Sequence, residues 1–185
     1  MRWFRLMGTT AVAGIASMGL VATTAAAGAL AATAPTAGVG QFTTWRAAQR
    51  AAGFGLMKPT NTYGAHRAGK IMVTRCEEHL RSRYRIVTTN YGSSAFHYMV
   101  LSQNNSGGAC QSEGNSHLIR RVRVQGVTAM LRGLCGMAKL PRCTNNRKVW
   151  LFLIWRKHGV YYIAASYGEW QNTLIGFGRH LVPVR

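Results

Sequence analysis

Aspartate is absent from this chain of 185 residues, and only four glutamates oppose 23 lysines and arginines, a formal net charge of +19. Without aspartate, a Ser–His–Asp triad is excluded. Catalysis by paired carboxylates has few candidates, since Glu77 and Glu78 are adjacent and we interpret them as part of a surface turn. Glu113 and Glu169 stand apart. The shortage of acid therefore favours a protein that binds anionic polymers or surfaces.

Several motifs of enzymes and cofactor sites are also missing. The chain has no phosphate-binding or dinucleotide-binding glycine motif and no G-x-S-x-G nucleophile elbow. Six histidines are spread over the whole chain and their spacing pairs none of them. We therefore expect no cofactor and no metal, and we favour a non-enzymatic protein. The alternative is a secreted nuclease or cell-wall hydrolase that uses His with Arg or Lys. A membrane-active antibacterial protein is a third hypothesis, but a long basic amphipathic helix is missing.

The N-terminus has the pattern of a secretory signal peptide. Arg2 and Arg5 precede a long uncharged run of small and apolar residues that reaches about Gly40. Residues 29–31 form an A-x-A site, which predicts a signal peptide over 1–31, while residues 25–27 offer a second site. An uncleaved membrane anchor is the rival interpretation. Residues 32–41 are then a disordered linker, and residues 42–185 one secreted domain without a stable transmembrane segment.

The cysteines number four, Cys76, Cys110, Cys135 and Cys143. An even count in a secreted chain predicts two disulfides, for which three connectivities exist. Cys135 and Cys143 flank a short loop that contains Gly and Pro, so we favour their local pairing. That leaves Cys76 to pair with Cys110. The spacing of a structural zinc site is absent.

The most strongly patterned stretch is Val149 to Tyr167, in which two apolar runs flank a turn at 157–159. Its first run is apolar on both alternating sets, which predicts a central strand covered on both faces. We expect a buried core made of Trp150, Phe152, Leu153, Ile154, Trp155, Tyr162 and Phe177. Predicted strands cover residues 70–76, 83–89, 96–103, 118–124, 127–132, 149–156 and 160–167.

Two predicted helices bracket these strands. The first covers 45–52, with Thr43 or Thr44 as its N-cap and Gly53 after its last turn. The second covers 169–181 and contains Gly176 and Gly178, for which close packing against the sheet is an explanation. The fold class expected is α+β, a mainly antiparallel sheet of about six to seven strands with an N-terminal and a C-terminal helix.

Short motifs in this order carry a resemblance. They are AAGFGLMKPT after the first helix, the hairpin VRVQGVTAMLRG, LIWRKHGVYYIAAS, and then TLIGFGRHLVPV. Over about residues 45–185 the chain resembles secreted bacterial domains related to those attached to anti-sigma factors and to lipoprotein-carrier-like proteins. The resemblance implies a curved antiparallel sheet with helices on one side and a non-catalytic role in the cell envelope.

The basic residues supply the candidate site. Arg81, Arg83 and Arg85 alternate along one predicted strand, and Arg121 with Arg123 along another, so each group is expected to share a face. Arginine binds phosphate and carboxylate in bidentate fashion. We therefore predict a secreted, envelope-associated binding module whose candidate partners are an anionic cell-wall polymer, an envelope protein or, without specificity, nucleic acid.

Overall fold

The computed structural model describes residues 38–76, 83–94, 97–107, 110, 116–134, 149–168 and 170–185. All of them belong to one compact unit, Thr33–Arg185. The predicted signal peptide lies outside the described residues, as do all four glutamates, Arg81 and the Cys135–Cys143 pair. No helix in the described part of the chain has the length and apolar character needed to cross a membrane.

The described chain forms ten strands and two helices. The helices are α1 (Trp45–Ala52) and α2 (Gln171–Arg179). The strands are β1 (Gly40–Phe42), β2 (Met57–Pro59), β3 (Arg67–Arg75), β4 (Arg85–Ser94), β5 (His97–Asn104), β6 (His117–Val124), β7 (Val127–Leu134), β8 (Trp150–Lys157), β9 (Val160–Tyr167) and β10 (Leu181–Pro183).

Eight of these strands form one sheet in the order β1-β3-β4-β5-β9-β8-β7-β6, and β2 pairs with β10 in a separate two-stranded sheet. Every neighbouring pair is antiparallel. The predicted antiparallel α+β class is therefore confirmed. The hairpin of β8 and β9 occupies interior positions, as expected from its apolar residues.

Two tight turns fix the hairpins of the sheet. His158 and Gly159 have φ of 48° and 78°, and Gln125 and Gly126 have φ of 52° and 80°. Positive φ at both central residues is the geometry of a type I′ turn, whose twist matches that of the flanking strands. The first turn lies within the predicted turn at 157–159, and the second occupies the gap between the predicted strands 118–124 and 127–132.

Both helices pack on one face of the eight-stranded sheet, which we call the inner face. α1 packs on β1, β3 and β4, and α2 packs on β6, β8 and β9. Ala48 and Ala52 of α1 are buried with Ile71 and Val73, while Phe177 of α2 is fully buried. Burial of such side chains contributes about 1.5–3 kcal/mol each for the larger ones. The hydrophobic effect thus holds both helices to the inner face.

A buried glutamine joins the small sheet to the large one. Gln103 on β5 is fully buried. Its Oε1 accepts a hydrogen bond from the Met57 amide at 2.7 Å, and its Nε2 donates to the Met57 carbonyl at 2.8 Å. Both ends of the amide are satisfied, as a buried polar group requires. Met57 on β2 is therefore fixed over the inner face.

The outer face of the sheet carries a third cluster. Ile154, Ile163 and Ala165 are buried there among Trp150, Phe152 and Met130. Trp150 and Phe152 are partly buried there, and they are less enclosed than Leu153, Ile154 and Trp155 of the predicted core. The reason is register, since Phe152 pairs with Ala165 on the outer face whereas both helices cover the inner face.

Three short strands were missed in the sequence. β1 contains Gly40 and Gln41, which pair with Val73 and Met72 and do not belong to a disordered linker. Strands of three residues carry too little periodic pattern to be recognised.

The second helix is also shorter than predicted. α2 spans 171–179 rather than 169–181, and β10 follows it at once. Pro183 favours extended backbone at Val182, the residue before it, which suits the middle of β10.

One predicted disulfide lies within the described residues and is present. Cys76 and Cys110 are joined, with their Cα atoms 5.3 Å apart. The bond links the end of β3 to the segment after β5. It closes a loop with a sequence separation of 34 residues that contains the β4–β5 hairpin.

Candidate anion-binding site

The predicted row of arginines on β4 is not a single exposed surface. β4 begins at Arg85, which pairs with Arg75 and is 6% exposed. Arg83 precedes the strand and is exposed, and Arg81 lies outside the described residues. Arg85 shares its face with Val87, an inner-face residue, so its side chain enters the protein. Arg83 and Arg85 therefore do not present their charges together.

Arg121 and Arg123 share a face of β6, as predicted. Arg121 pairs with Met130 and Arg123 with Thr128, which places both on the outer face, and both are exposed. Arg156 on β8 lies on the same face. The structure shows no hydrogen bond from these three guanidinium groups to a described residue. We call Arg121, Arg123 and Arg156 the outer arginines.

Five other cationic residues line a cleft beside the first helix, which we call the α1 cleft. Its volume is about 610 Å³. Its walls come from α1, β2, the start of β3 and the residues after β10. The lining residues are Thr44, Trp45, Arg46, Arg50, Lys58, Arg67, Val184 and Arg185. Sequence alternation missed this set because its members lie on different elements.

The capped start of α1 orients two of these cations. The Thr44 hydroxyl accepts a hydrogen bond from the Ala47 amide at 3.3 Å, and Gly53 ends the helix with φ of 75°. α1 therefore begins at Trp45, and Arg46 and Arg50 are one turn apart on its exposed side. This is the N-cap and C-terminal glycine that the sequence predicted.

Hydrogen bonds to backbone oxygens orient two members of the α1 cleft. Arg46 Nε donates to the Arg185 carbonyl, and Arg67 NH2 donates to the Thr43 carbonyl at 2.9 Å. Arg50 and Lys58 have no hydrogen bond to a described residue. Arg46 and Arg50 are like charges four residues apart on α1, and such a pair destabilises a helix by about 0.2–0.5 kcal/mol. An anion in the cleft would relieve that repulsion.

A second cleft lies between α2, β6 and the loop after β2, and we call it the α2 cleft. It has a volume of about 320 Å³. Apolar Val122 and Ile175 form part of its wall, and its other lining residues are polar or cationic. They are Tyr63, Arg120, Asn172, Gly176, Arg179 and His180.

Tyr63 reaches this cleft from an unusual backbone conformation. Its φ is 53°, a left-handed value that is uncommon for a residue other than glycine. The Asn61 side chain accepts a hydrogen bond from the Tyr63 amide at 2.8 Å, and the Thr60 amide donates to the His180 carbonyl at 2.9 Å. The loop is thereby tied to the end of α2, and the Tyr63 ring, 45% exposed, stands at the rim of the cleft.

Gly176 makes room for the Tyr63 hydroxyl. A Cβ at Gly176 would lie 1.9 Å from the Tyr63 hydroxyl oxygen. Gly178 serves a different contact, since a Cβ there would lie 2.7 Å from Leu153 Cδ2 on β8. The expected packing against the sheet is thus confirmed for Gly178, while Gly176 accommodates a tyrosine from a loop.

His180 follows the last turn of α2 with one ring nitrogen engaged. Its Nδ1 lies 2.8 Å from the Gly176 carbonyl oxygen. A carbonyl only accepts, so Nδ1 carries the proton and donates. The remaining nitrogen, Nε2, is left to contact a ligand. The Tyr63 hydroxyl lies 3.5 Å from Nδ1, and the two rings meet edge to face.

The two arginines of the α2 cleft are held by neighbours that carry no charge. Arg120 NH2 donates to Asn172 Oδ1 at 3.3 Å, and Arg179 Nε donates to the Arg123 carbonyl at 3.1 Å. Each guanidinium retains further N–H donors. The side chain of Gln125 stabilises the helix end behind them, because its Nε2 donates to the Arg179 carbonyl at 2.6 Å and the Leu181 carbonyl at 2.9 Å.

No protein family, curated protein or solved structure matches this chain. The resemblance to secreted envelope domains therefore stays a prediction. The features of the described residues that bear on function are the two clefts and their cationic side chains.

The described part of the chain offers few side chains that could act as acids or bind a metal ion. The described residues hold no group of three His, Cys, Asp or Glu side chains that could bind a metal ion. Buried phenols are core residues rather than acids of a site: burial raises the pKa of Tyr162 to about 12 and also raises the pKa of Tyr91. Both remain protonated at neutral pH.

Arg120 is one of the site residues that the sequence pattern did not single out. It precedes Arg121 but lies on the opposite face of β6, because it pairs with Leu131 of the inner face. The sequence contained one indication of this position. Arg120 is two residues before Val122, so it lies on the face of the predicted strand that should be apolar. Tyr63 gave no such signal, since its partner His180 is 117 residues away.

Proposed function

We propose that this protein is a secreted binding module of the cell envelope that holds anionic polymers in its α1 cleft. The observation that carries the proposal is the convergence of Arg46, Arg50, Lys58 and Arg67 on one concave surface. Clefts lined by one sign of charge focus the field and raise the local concentration of counter-ions. A chain of phosphate or carboxylate groups supplies that counter-charge.

The charge of the whole described surface supports the same function. The full chain carries 23 lysines and arginines against four glutamates and no aspartate, and 16 of those cations are among the described residues. The partner class proposed is an anionic cell-wall polymer, with nucleic acid as the comparison that measures specificity.

Secretion belongs to the proposal. It is supported by the signal-peptide pattern of residues 1–31 and by the Cys76–Cys110 disulfide, since disulfides form and persist in oxidising compartments. We also propose that Cys135 and Cys143 form the second disulfide, as their short separation in sequence indicates. After cleavage the formal charge is +17, because Arg2 and Arg5 leave with the signal peptide.

Two charge-matched variants test the polymer site. One replaces three residues of the α1 cleft by glutamine (Arg50→Gln, Lys58→Gln, Arg67→Gln), and the other replaces the outer arginines in the same way. Both remove three positive charges. Binding of long-chain polyphosphate is measured against salt concentration, because each phosphate contact releases counter-ions.

The cleft variant is expected to flatten the slope of log K against log salt by about two, from roughly 0.7 per lost contact on a flexible chain. The outer variant is expected to change the slope by less than half of that amount. Equal losses in the two variants would show that net charge alone determines binding. A larger loss in the outer variant would move the site to the face of Arg121 and Arg123.

A secreted hydrolase is the second candidate, and one observation favours it. His180 presents Nε2 at a cleft that also contains Arg120 and Arg179, the residue types that phosphodiester hydrolysis uses. Turnover of RNA, DNA or peptidoglycan by the purified mature protein, lost in His180→Ala, would establish it. Absence of turnover at high enzyme concentration would leave the binding module.

A further inference from the structure

We propose that the α2 cleft is a nucleotide site, in which a phosphate ester contacts Arg120 and Arg179 and the attached base stacks on Tyr63. This inference goes beyond polymer binding in the α1 cleft and does not depend on it. It concerns a different cavity with a different composition, since an aromatic ring and an imidazole accompany the cations there.

The α2 cleft offers oriented hydrogen-bond donors to a phosphate. Arg120 is held by Asn172 and Arg179 by the Arg123 carbonyl, so their remaining N–H groups are placed before a ligand arrives. The His180 ring is oriented by the Gly176 carbonyl, which leaves Nε2 as an acceptor for a sugar hydroxyl of the ligand. Hydrogen bonds between a guanidinium and an oxyanion are stronger than neutral ones.

Tyr63 is the side chain on which the base would stack. Tyr63 as a residue is 45% exposed although its ring meets His180 edge to face, so part of this side chain remains accessible at the rim. Bases stack on aromatic side chains with little dependence on sequence. A polymer of sugar or polyol phosphates has no planar group to use this surface. The cleft therefore favours phosphate esters that carry a base.

Two local features weaken the fold and serve the cleft. Tyr63 adopts left-handed backbone, and Gly176 lies inside a helix, where alanine would be more stable. Both place the Tyr63 hydroxyl against α2, because a Cβ at Gly176 would overlap it. Conformations of this kind concentrate at binding sites, where the surroundings hold them.

The volume fits one nucleotide unit. At about 320 Å³ the cleft is at the lower end of the range for small-molecule sites, roughly 300–1,000 Å³. One phosphate and its sugar fill the space between Arg120 and Arg179. The base then lies at the rim over Tyr63.

Binding is tested with small probes, which the α1 cleft binds weakly because each carries few charges. A dinucleoside monophosphate, ribose 5-phosphate and a nucleoside are titrated at physiological salt into the 15N-labelled full domain. The dinucleoside monophosphate is expected to shift the Gly176 and Arg179 amide signals. The other two probes, which lack the base or the phosphate, are expected to bind about tenfold more weakly or worse.

Arg120→Gln and Arg121→Gln form the decisive pair of variants. The residues are adjacent, both are exposed and both changes remove one charge, yet only Arg120 lines the α2 cleft. Arg120→Gln is expected to weaken the dinucleoside monophosphate about tenfold. Arg121→Gln is expected to leave its affinity within about twofold of the unmodified protein, because that side chain is on the outer face.

Tyr63 variants separate stacking from the hydroxyl contact. Tyr63→Phe should retain most of the affinity, and Tyr63→Leu should lose about tenfold. Equal effects of Arg120→Gln and Arg121→Gln, or full affinity in Tyr63→Leu, would overturn the proposal. If the unmodified protein binds the dinucleoside monophosphate but not long-chain polyphosphate, the α1-cleft function is contradicted and this site still stands.

Discussion

Gly176→Ala should separate the stability of α2 from the geometry of its cleft. An ideal Cβ at this position would lie 1.9 Å from the Tyr63 hydroxyl oxygen and 2.7 Å from Tyr63 Cζ. These atoms belong to the outer part of an exposed side chain, which can swing away. Alanine in a helix interior is favoured over glycine by about 1 kcal/mol. We therefore expect the free energy of unfolding to stay the same or rise by up to about 1 kcal/mol.

The same substitution should impair the α2 cleft, because Tyr63 must leave its place at the rim. Dinucleotide affinity is expected to fall about tenfold, as in Tyr63→Leu. The assays are urea unfolding, with the midpoint and slope compared, and the amide titration described above.

Gly178→Ala is the matched control. A Cβ there would lie 2.7 Å from Leu153 Cδ2 and 3.3 Å from Val124 Cγ1, both in the closed core. Overpacking costs about 1–3 kcal/mol, which the helical gain of about 1 kcal/mol only partly offsets. If Gly176→Ala lowered the free energy of unfolding by more than about 1 kcal/mol, or left the dinucleotide affinity unchanged, Gly176 would not have the proposed role of making room for Tyr63.

Further predictions concern the fold, the disulfides, the N-terminus and the buried phenols. Phe177→Ala should lower the free energy of unfolding by about 3–5 kcal/mol in urea titrations, and Phe152→Ala by clearly less, because only Phe177 is fully enclosed; similar losses would contradict this view of the core. Replacement of Cys76 and Cys110 by alanine should cost about 2–4 kcal/mol, and peptide mapping without reductant should join Cys135 to Cys143; a peptide that links Cys76 to Cys143 would contradict the pairing. N-terminal sequencing of the secreted product should begin between Gly28 and Gln41, whereas an intact N-terminus recovered in membranes would remove the signal-peptide assignment. Burial raises the pKa of Tyr162 to about 12, so the folded state holds this proton more tightly than the unfolded chain does. Its contribution to stability should be complete below about pH 10 and lost as the pH rises toward 12, and a transition midpoint that stays constant over pH 9–12 would argue against it.

Local patterns predicted the parts of the fold that local chemistry determines. The α1 helix followed from Thr44 and Gly53, and the hairpin turns from Gln125-Gly126 and His158-Gly159, because capping and positive φ depend on a few neighbouring residues. The strands of three residues were missed since their order comes from pairing partners distant in sequence.

The candidate site divides in the same way. Alternation correctly placed Arg121 and Arg123 on one face, but it could not show that Arg85 would be buried beside Val87. The clefts bring together residues from separate elements, such as Arg50 with Lys58, and only the tertiary structure reveals that they converge. Arg120 was the one cleft residue whose position in the alternation indicated an unusual role.

Arginine side-chain NMR shows directly whether anionic polymers occupy the α1 cleft. Long-chain polyphosphate is titrated into the 15N-labelled mature protein at physiological salt, and the Nε–Hε signals are assigned with single glutamine variants. If the polymer binds in the α1 cleft, the signals of Arg46, Arg50 and Arg67 are expected to shift first and together. The signals of the outer arginines are then expected to move little. Shifts that begin at Arg121, Arg123 and Arg156, or that spread evenly over all arginines, would contradict binding in the α1 cleft.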